Sequence, residues 1–470
     1  DVADPVGLLM GIVPSTNPTS TAIFKSIIAL KSRNAIVFSP HPSAAKCTLK
    51  AATLMRDAAV EAGAPENIIG CITMPSMPAT DELMHSKEVK MIIATGGPGM
   101  VKASYSAGKP ALGVGAGNSP AYIERTANVQ QAVTNIIASK TFDYGTICAS
   151  EQSIICEECN KEAVIAEFKK QGAYFMSPEE TEKVCKLLFK PGGHAMNAKF
   201  VGRSPLHIAS AAGISVPEST TVLIGPQGGV GNGYPLSYEK LTSVLAFYVV
   251  NDWHEACELS IELLQNGIGH TMSLHTENKN IVLEFTKKPA SRILVNTGSS
   301  MGGTGGSTGL VPSFTLGCGT WGGSSVSENV SPMHLVNIKK VAYGIKNCAT
   351  MAADDPTFNH PELASLNAAP AAGANTAFTP IHPEPVPASG APMAFATATT
   401  TPAQVSPANC GSTSAYLSPA DYQNNSGISY SVGCNSCGSN AAAPAASDQP
   451  IDVDQLNDMI NALVKAMKGE

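Results

Sequence analysis

The stretch FDYGTICASEQSII, Phe142 to Ile155, sets one cysteine between a glycine-led turn and a polar run that opens into a strand-like apolar stretch. Thiolate is the best intrinsic nucleophile among side chains. Its attack on an aldehyde gives a thiohemiacetal that can pass hydride to a nicotinamide and leave a thioester. For a lone cysteine such as Cys148 the alternative is a structural thiol. Asn17, ahead of Pro18, is either a turn residue or an amide donor for an oxygen gaining charge. His270, in GIGHT, titrates near neutrality and suits proton transfer, though a satisfied structural histidine fits equally. Glu239, in YEKLTSVLAFY, is a surface carboxylate or a ligand contact. TGGPG, comprising Thr95, Gly96, Gly97, Pro98 and Gly99, follows a strand-like run and precedes a helix-like one, where backbone amides let a pyrophosphate approach.

The elements that must position these residues follow from the patterning. Short β-branched runs at Val6–Val13, Ala35–Phe38, Ile68–Thr73 and Val89–Thr95 alternate with helix-like segments at Thr19–Ser32, Ser43–Ala62 and Pro98–Ala107. Strand then helix, repeated, predicts an α/β fold with a parallel sheet covered on both faces and a nucleotide site at the carboxyl ends of its strands. A second α/β stretch runs from about Tyr122 to Gly309 and carries Cys148 near its start. After about Asn347 the composition changes, and from Pro361 to Pro450 there is no lysine or arginine. That stretch reads as a disordered linker, too poor in large apolar groups to offset ordering entropy. At its end, Val453, Leu456, Ile460, Leu463, Val464 and Met467 fall on one face of an amphipathic helix.

The chain of 470 residues carries a net charge of −7 without a basic stripe, which argues against a nucleic-acid partner. No apolar run is long enough to span a bilayer, so no membrane association is expected. Twelve cysteines scattered among enzyme-like segments favour a reducing, intracellular setting. The pairs Cys156–Cys159 and Cys434–Cys437 are not expected to bind metal, since one lies in a domain and the other in the linker. The chain opens on Asp1 just before a strand-like run, so a preceding segment is expected.

Five motifs carry a resemblance: VPSTNPTST, ATGGPGMVKASYSAGKPALGVGAGNSPAYIE, FDYGTICASEQS, NGIGHTMSLHT and PSFTLGCGTWGGSSVSENVSPMHL. In order and content they are similar to the coenzyme A-acylating aldehyde dehydrogenases that act on acetaldehyde and propionaldehyde. The resemblance implies a Rossmann-type NAD-binding domain over residues 1–121 and a catalytic domain over 122–310. It also implies a return to the nucleotide-binding and oligomerisation region over 311–348, then a linker over 349–450 and an amphipathic helix over 451–470. Cys148 then matches the catalytic cysteine, Asn17 the oxyanion asparagine, and His270 a proton-transfer residue. Glu239 matches the glutamate that holds the nicotinamide ribose.

FSPHPSA places Ser39, Pro40 and His41 at the adenine ribose, with Ser39 and Pro42 where the wider superfamily carries lysine and glutamate. Aligning VGAGNSP on the superfamily's ELGGKSP run puts Val114 where hydrolytic members carry the glutamate that activates water. The resemblance therefore implies transfer of the acyl group to coenzyme A rather than to water. The alternatives are a hydrolytic dehydrogenase and an idle cargo protein. The expected partners are a short aldehyde, coenzyme A and further copies of the chain in a homo-oligomer. A microcompartment shell protein, bound through the terminal helix, completes the set, with residence in the cytoplasm inside a bacterial microcompartment.

Overall fold

The computed structural model describes residues 1–190 and 195–343; the expected linker over 349–450 and the helix over 451–470 lie outside the described residues. Along the chain, β1 (Val2–Pro5) precedes five strands: β2 (Leu8–Val13), β3 (Ala35–Pro40), β4 (Ile69–Cys71), β5 (Val89–Thr95) and β6 (Ala111–Val114). The last five form a parallel sheet in the order β4-β3-β2-β5-β6. Between them run α1 (Pro18–Lys31), α2 (Ala45–Glu61), α3 (Met77–His85) and α4 (Pro98–Ser106). Strand order reverses between β2 and β5, so the loops leaving these two strands part to either face and open a crevice at their carboxyl ends.

A second parallel sheet has seven strands: β7 (Ser119–Ile123), β8 (Glu151–Glu157), β9 (Ala173–Phe175), β10 (Val222–Pro226), β11 (Val244–Val250), β12 (Gly269–His275) and β13 (Ala290–Val295). Their order is β13-β12-β7-β8-β11-β10-β9. α5 (Val129–Thr141), α6 (Lys161–Lys170), α7 (Pro178–Leu188), α8 (Pro205–Ala211), α9 (Trp253–Leu264), α10 (Lys279–Phe285) and α11 (Ser299–Gly303) connect and cover it. β7, β8 and β12 are buried along their whole length, the condition of strands covered on both faces.

After α11 the chain returns to the first sheet. Val326, Val330 and Leu335 join the core formed by Leu9, Ile36, Phe38 and Ile93. The last described strand, β14 (Val336–Lys339), pairs antiparallel with β1.

The strand and helix alternation expected up to Thr95 is present, with shifts at the ends. The run Ile68–Thr73 shortens to Ile69–Cys71, and α2 begins at Ala45, after a 3-10 turn over Pro42–Ala44. α3 and β6 were not anticipated. α3 starts on a Ser76 side-chain cap and a proline but has few apolar residues to mark a face; β6 is four residues between Pro110 and Gly115. No helix among the described residues is long and apolar enough to cross a membrane.

Candidate active site

The crevice at the β2–β5 switch continues to the turns before β8 and β11 of the second sheet as one cavity of about 650 Å³. Asn17, Ser39, Pro40, His41, Thr95, Gly96, Gly97, Pro98, Cys148 and Glu239, all expected at a site, line it together with Val114. Two expected residues do not. Gly99 sits in the first turn of α4, outside the lining, and His270 is buried on β12.

A tight turn before β8 presents Cys148. Asp143 and Tyr144 adopt positive φ near 49°, and Gly145 follows at 73°. A side chain at Gly145 would collide with the Thr242 carbonyl and with Lys140, which explains the glycine. Gly117 is needed for a different reason: a Cβ there would stand 2.1 Å from the Cys148 carbonyl oxygen. Ile147 and Ala149 pack with Leu316 on either side of the cysteine and anchor it.

The charges around this thiol are buried and coupled. Burial raises the Cys148 thiol to about 12, with Glu239 and Cys318 adding to the rise and Arg292 opposing it. Burial also lifts the Glu239 carboxyl to about 7, against the Gly117 amide and the ammonium groups of Lys140 and Lys240. Gly117 N donates to Glu239 Oε1 at 3.0 Å. Lys140, wholly buried on α5, falls to about 7 through desolvation, with Glu151 and Glu239 pulling it back; its Nζ donates to the Lys240 carbonyl at 3.1 Å. Desolvation and the nearby Arg292 hold His270 neutral, well below its ordinary range. Its Nδ1 lies 2.9 Å from Thr271 Oγ1, and its Nε2 has no partner among the described residues. A neutral ring buried away from the cavity is poorly placed to exchange protons with a substrate.

Asn17 occupies the N-cap position of α1 but makes no cap bond with its side chain. The side-chain oxygen accepts from Thr16 Oγ1 at 3.2 Å, which leaves the amide hydrogens for the cavity.

The five-stranded-sheet half fits a dinucleotide by three observations. Thr95 Oγ1 is buried at the end of β5 without a partner among the described residues. A Cβ added at Gly97 or Gly115 would meet nothing within 4 Å, so the backbone is open to a close ligand. α4 begins on Gly97 with no side-chain cap, leaving its first amides to an anion. Ser39, buried beside the expected ribose position, is bound to Thr80 Oγ1 at 2.8 Å. Sequence reasoning missed Phe314, Leu241, Val201 and Met77 on the lining; Phe314 and Leu241 lie inside quoted runs but carry no chemistry to single them out, and Val201 and Met77 belong to no motif. The eight described cysteines are free, and no cluster of metal-ligating side chains occurs among the described residues.

A cleft at the switch point of one parallel sheet, with a cysteine presented beside a second parallel sheet, defines a class of protein, and comparison with known proteins gives that class its name. The sequence pattern of the aldehyde dehydrogenase family matches residues 2–182. The acetylating aldehyde dehydrogenase of Geobacillus thermoglucosidasius is 54% identical, with a TM-score of 0.72 over 73% of this chain and 76% of that one. The chain belongs to the aldehyde dehydrogenase family. The bifunctional aldehyde-alcohol dehydrogenase of Escherichia coli is 48% identical over 353 residues, covering 74% of this chain and 39% of that protein. The chain thus spans about two fifths of the length of such curated relatives. A propionaldehyde dehydrogenase of Rhodopseudomonas palustris, solved with propionyl-CoA, is 30% identical with a TM-score of 0.66, covering 71% of this chain and 72% of that one.

Proposed function

We propose that the chain oxidises a short aliphatic aldehyde, acetaldehyde or propionaldehyde, and transfers the acyl group from a Cys148 thioester to coenzyme A. The observation that supports this reading most is that Cys148 and Val114 line one cavity, the valine standing where the resemblance puts the glutamate of hydrolytic members.

NAD, when bound, supplies the two-electron acceptor. Thr95, Gly96, Gly97 and the first amides of α4 would hold its pyrophosphate, Ser39, Pro40 and His41 its adenine ribose, and Glu239 its nicotinamide ribose. The Cys148 sulfur bonds to the aldehyde carbon, and the side-chain amide of Asn17 donates to the oxygen that becomes negative, a contribution of roughly 3 kcal/mol. Loss of hydride from that carbon leaves a thioester on Cys148. Val114 gives water no base, so the thioester persists until the thiol of coenzyme A attacks, releasing the acyl thioester and restoring the Cys148 thiol. His270, neutral and off the cavity, takes no part in this reading.

NADH absorbance with and without coenzyme A, combined with product analysis, tests it. Acyl-coenzyme A should form in step with NADH, and Val114→Glu should raise acid production in the absence of coenzyme A by about 10²-fold, the low end of what one positioned general base contributes. Free acid as the main product of the unmutated chain would overturn the reading.

We place the enzyme as a homo-oligomer and as cargo of a bacterial microcompartment. Exposed Val2 and Ile338 on the β1–β14 ribbon support self-association. The apolar face over 451–470 and a structural neighbour from the fucose-utilisation microcompartment of Clostridium phytofermentans support the cargo role. A fluorescent protein fused to residues 448–470 should form puncta in compartment-building cells and lose them with Leu456→Glu and Leu463→Glu; diffuse signal from the unmutated fusion would count against it.

A further inference from the structure

Arg292, on β13, is 3% exposed. Its guanidinium bonds to neutral oxygens throughout. Nε donates to Thr271 Oγ1 at 3.1 Å; one terminal nitrogen donates to the carbonyls of Gly317 at 2.6 Å and His270 at 3.0 Å. The other reaches Asn329 Oδ1 at 3.4 Å and the Ser327 carbonyl at 3.5 Å. Among the described residues no carboxylate pairs with it. A buried unpaired charge is costly. Burial lowers the Lys25 and Lys240 amines well below the ordinary lysine range, the direction in which a buried amine escapes that cost. Arginine has no such escape, because its guanidinium stays protonated throughout the range in which proteins fold. The positive charge at Arg292 is therefore permanent and lacks a fixed counter-charge.

Geometry ties that charge to the reactive cysteine from two sides. The carbonyl of His270 accepts from Arg292, and the ring of the same residue lies against Gly117, 3.2 Å from the point where a Cβ would stand 2.1 Å from the Cys148 carbonyl. Gly317, the other strongly held carbonyl, follows Leu316, which packs on Ile147 and Ala149 beside the cysteine. The titratable groups around Cys148 are Glu239, before β11, Cys318, His270 on β12 and Arg292, with Lys140 of α5 acting through Glu239. Glu239 and Cys318 oppose ionisation of the thiol, His270 is neutral, and Arg292 favours it.

We propose that Arg292 is a positioning residue for the reaction, a permanent buried cation whose field opposes the cost of burial at Cys148 and favours ionisation of its thiol. The proposal rests on Cys148 being the nucleophile. Its test reads ionisation rather than turnover, so the two can fail separately: turnover of Cys148→Ala decides the nucleophile, and alkylation decides Arg292.

The purified full chain is alkylated with iodoacetamide across a pH series, and modification of the Cys148 peptide is followed by mass spectrometry. At each pH below the thiol's midpoint, Arg292→Gln should slow Cys148 alkylation about tenfold, the equivalent of one pKa unit. Arg292→Lys should fall between the two. Circular dichroism checks that each variant is folded. If Arg292→Gln does not fold, Asn329→Asp sets a carboxylate against the guanidinium and should slow the alkylation in the same sense. A folded Arg292→Gln or Asn329→Asp variant with an unchanged profile overturns the proposal, as does a shift confined to Cys318.

Discussion

On the side of the five-stranded sheet, the cavity is lined by Ser39, Pro40, Thr95, Gly96 and Gly97, side chains that carry no charge. On the side of the seven-stranded sheet, Cys148 stands among Glu239, Arg292 and Lys140, all titrating away from their ordinary ranges through burial. The first half can recognise a ligand by backbone amides, hydroxyls and room for close approach. The second is a low-dielectric pocket in which a single proton or charge alters every neighbour. Substitutions at these uncharged positions should therefore change affinity in modest steps, whereas substitutions around Cys148 should change rates and pH dependence by orders of magnitude.

The largest expected effect is that of Cys148→Ala. Acyl-coenzyme A formation should fall by at least about 10⁴-fold, as when other enzymes lose a covalent nucleophile. Dinucleotide affinity, read by fluorescence titration, should stay within about twofold, because less than 0.5 kcal/mol of binding would be touched. A coupled loss of both would erase the division between the halves. Next comes Asn17→Ala, expected to lower kcat by about 10²-fold, the range for one lost oxyanion donor. An unchanged kcat with a raised KM would make Asn17 a binding residue instead.

Glu239 supplies a test through stability. Its carboxyl is lifted from an ordinary 4.5 to about 7 in the folded chain, mainly by burial. Between those values the folded state keeps a proton that the unfolded state has released, so the site's contribution to stability is full below 4.5 and is lost as pH rises through 7. Glu239→Gln removes that dependence. Relative to the unmutated chain it should gain stability between pH 5 and pH 8, by at most about 3 kcal/mol, with Lys140 reducing the figure. Urea denaturation at the two pH values measures it, and a difference that does not change with pH would mean that Glu239 ionises normally.

How far the site could be read beforehand follows the same division. Asn17, Thr95–Pro98 and Cys148 lie in contiguous turns at strand and helix ends, where residue type and local position together suggest a role. Val114 was legible for the same reason, as a replacement inside a run. His270 was expected at the site from its titration range and its motif, but period-two alternation on β12 gives no depth, and the fold buries it off the cavity. Arg292 and Lys140 escaped notice because a cation within an apolar strand or helix reads like any exposed one until its neighbours are known. Phe314 and Leu241 reach the lining by tertiary packing alone. The parallel sheet was readable from alternation, while β6 and α3 were too short or too polar to stand out.

The finest test of the comparison falls on Thr95, at the end of β5. Its Oγ1 is buried and lacks a partner among the described residues. A buried hydroxyl left unpaired costs about 1–3 kcal/mol. In the free protein Thr95→Val should therefore be neutral or stabilising by about 1 kcal/mol, since valine keeps the branched shape and suits a strand. If that hydroxyl instead serves the dinucleotide, the same substitution should weaken dinucleotide binding about fivefold, one neutral hydrogen bond's worth. The two measurements, thermal unfolding without ligand and fluorescence titration with NADH, are expected to move in opposite directions. Both moving together, with stability and affinity each lowered, would mean that Thr95 supports the strand rather than the ligand, and recognition on the neutral half of the cavity would then fall to the backbone amides and to Ser39.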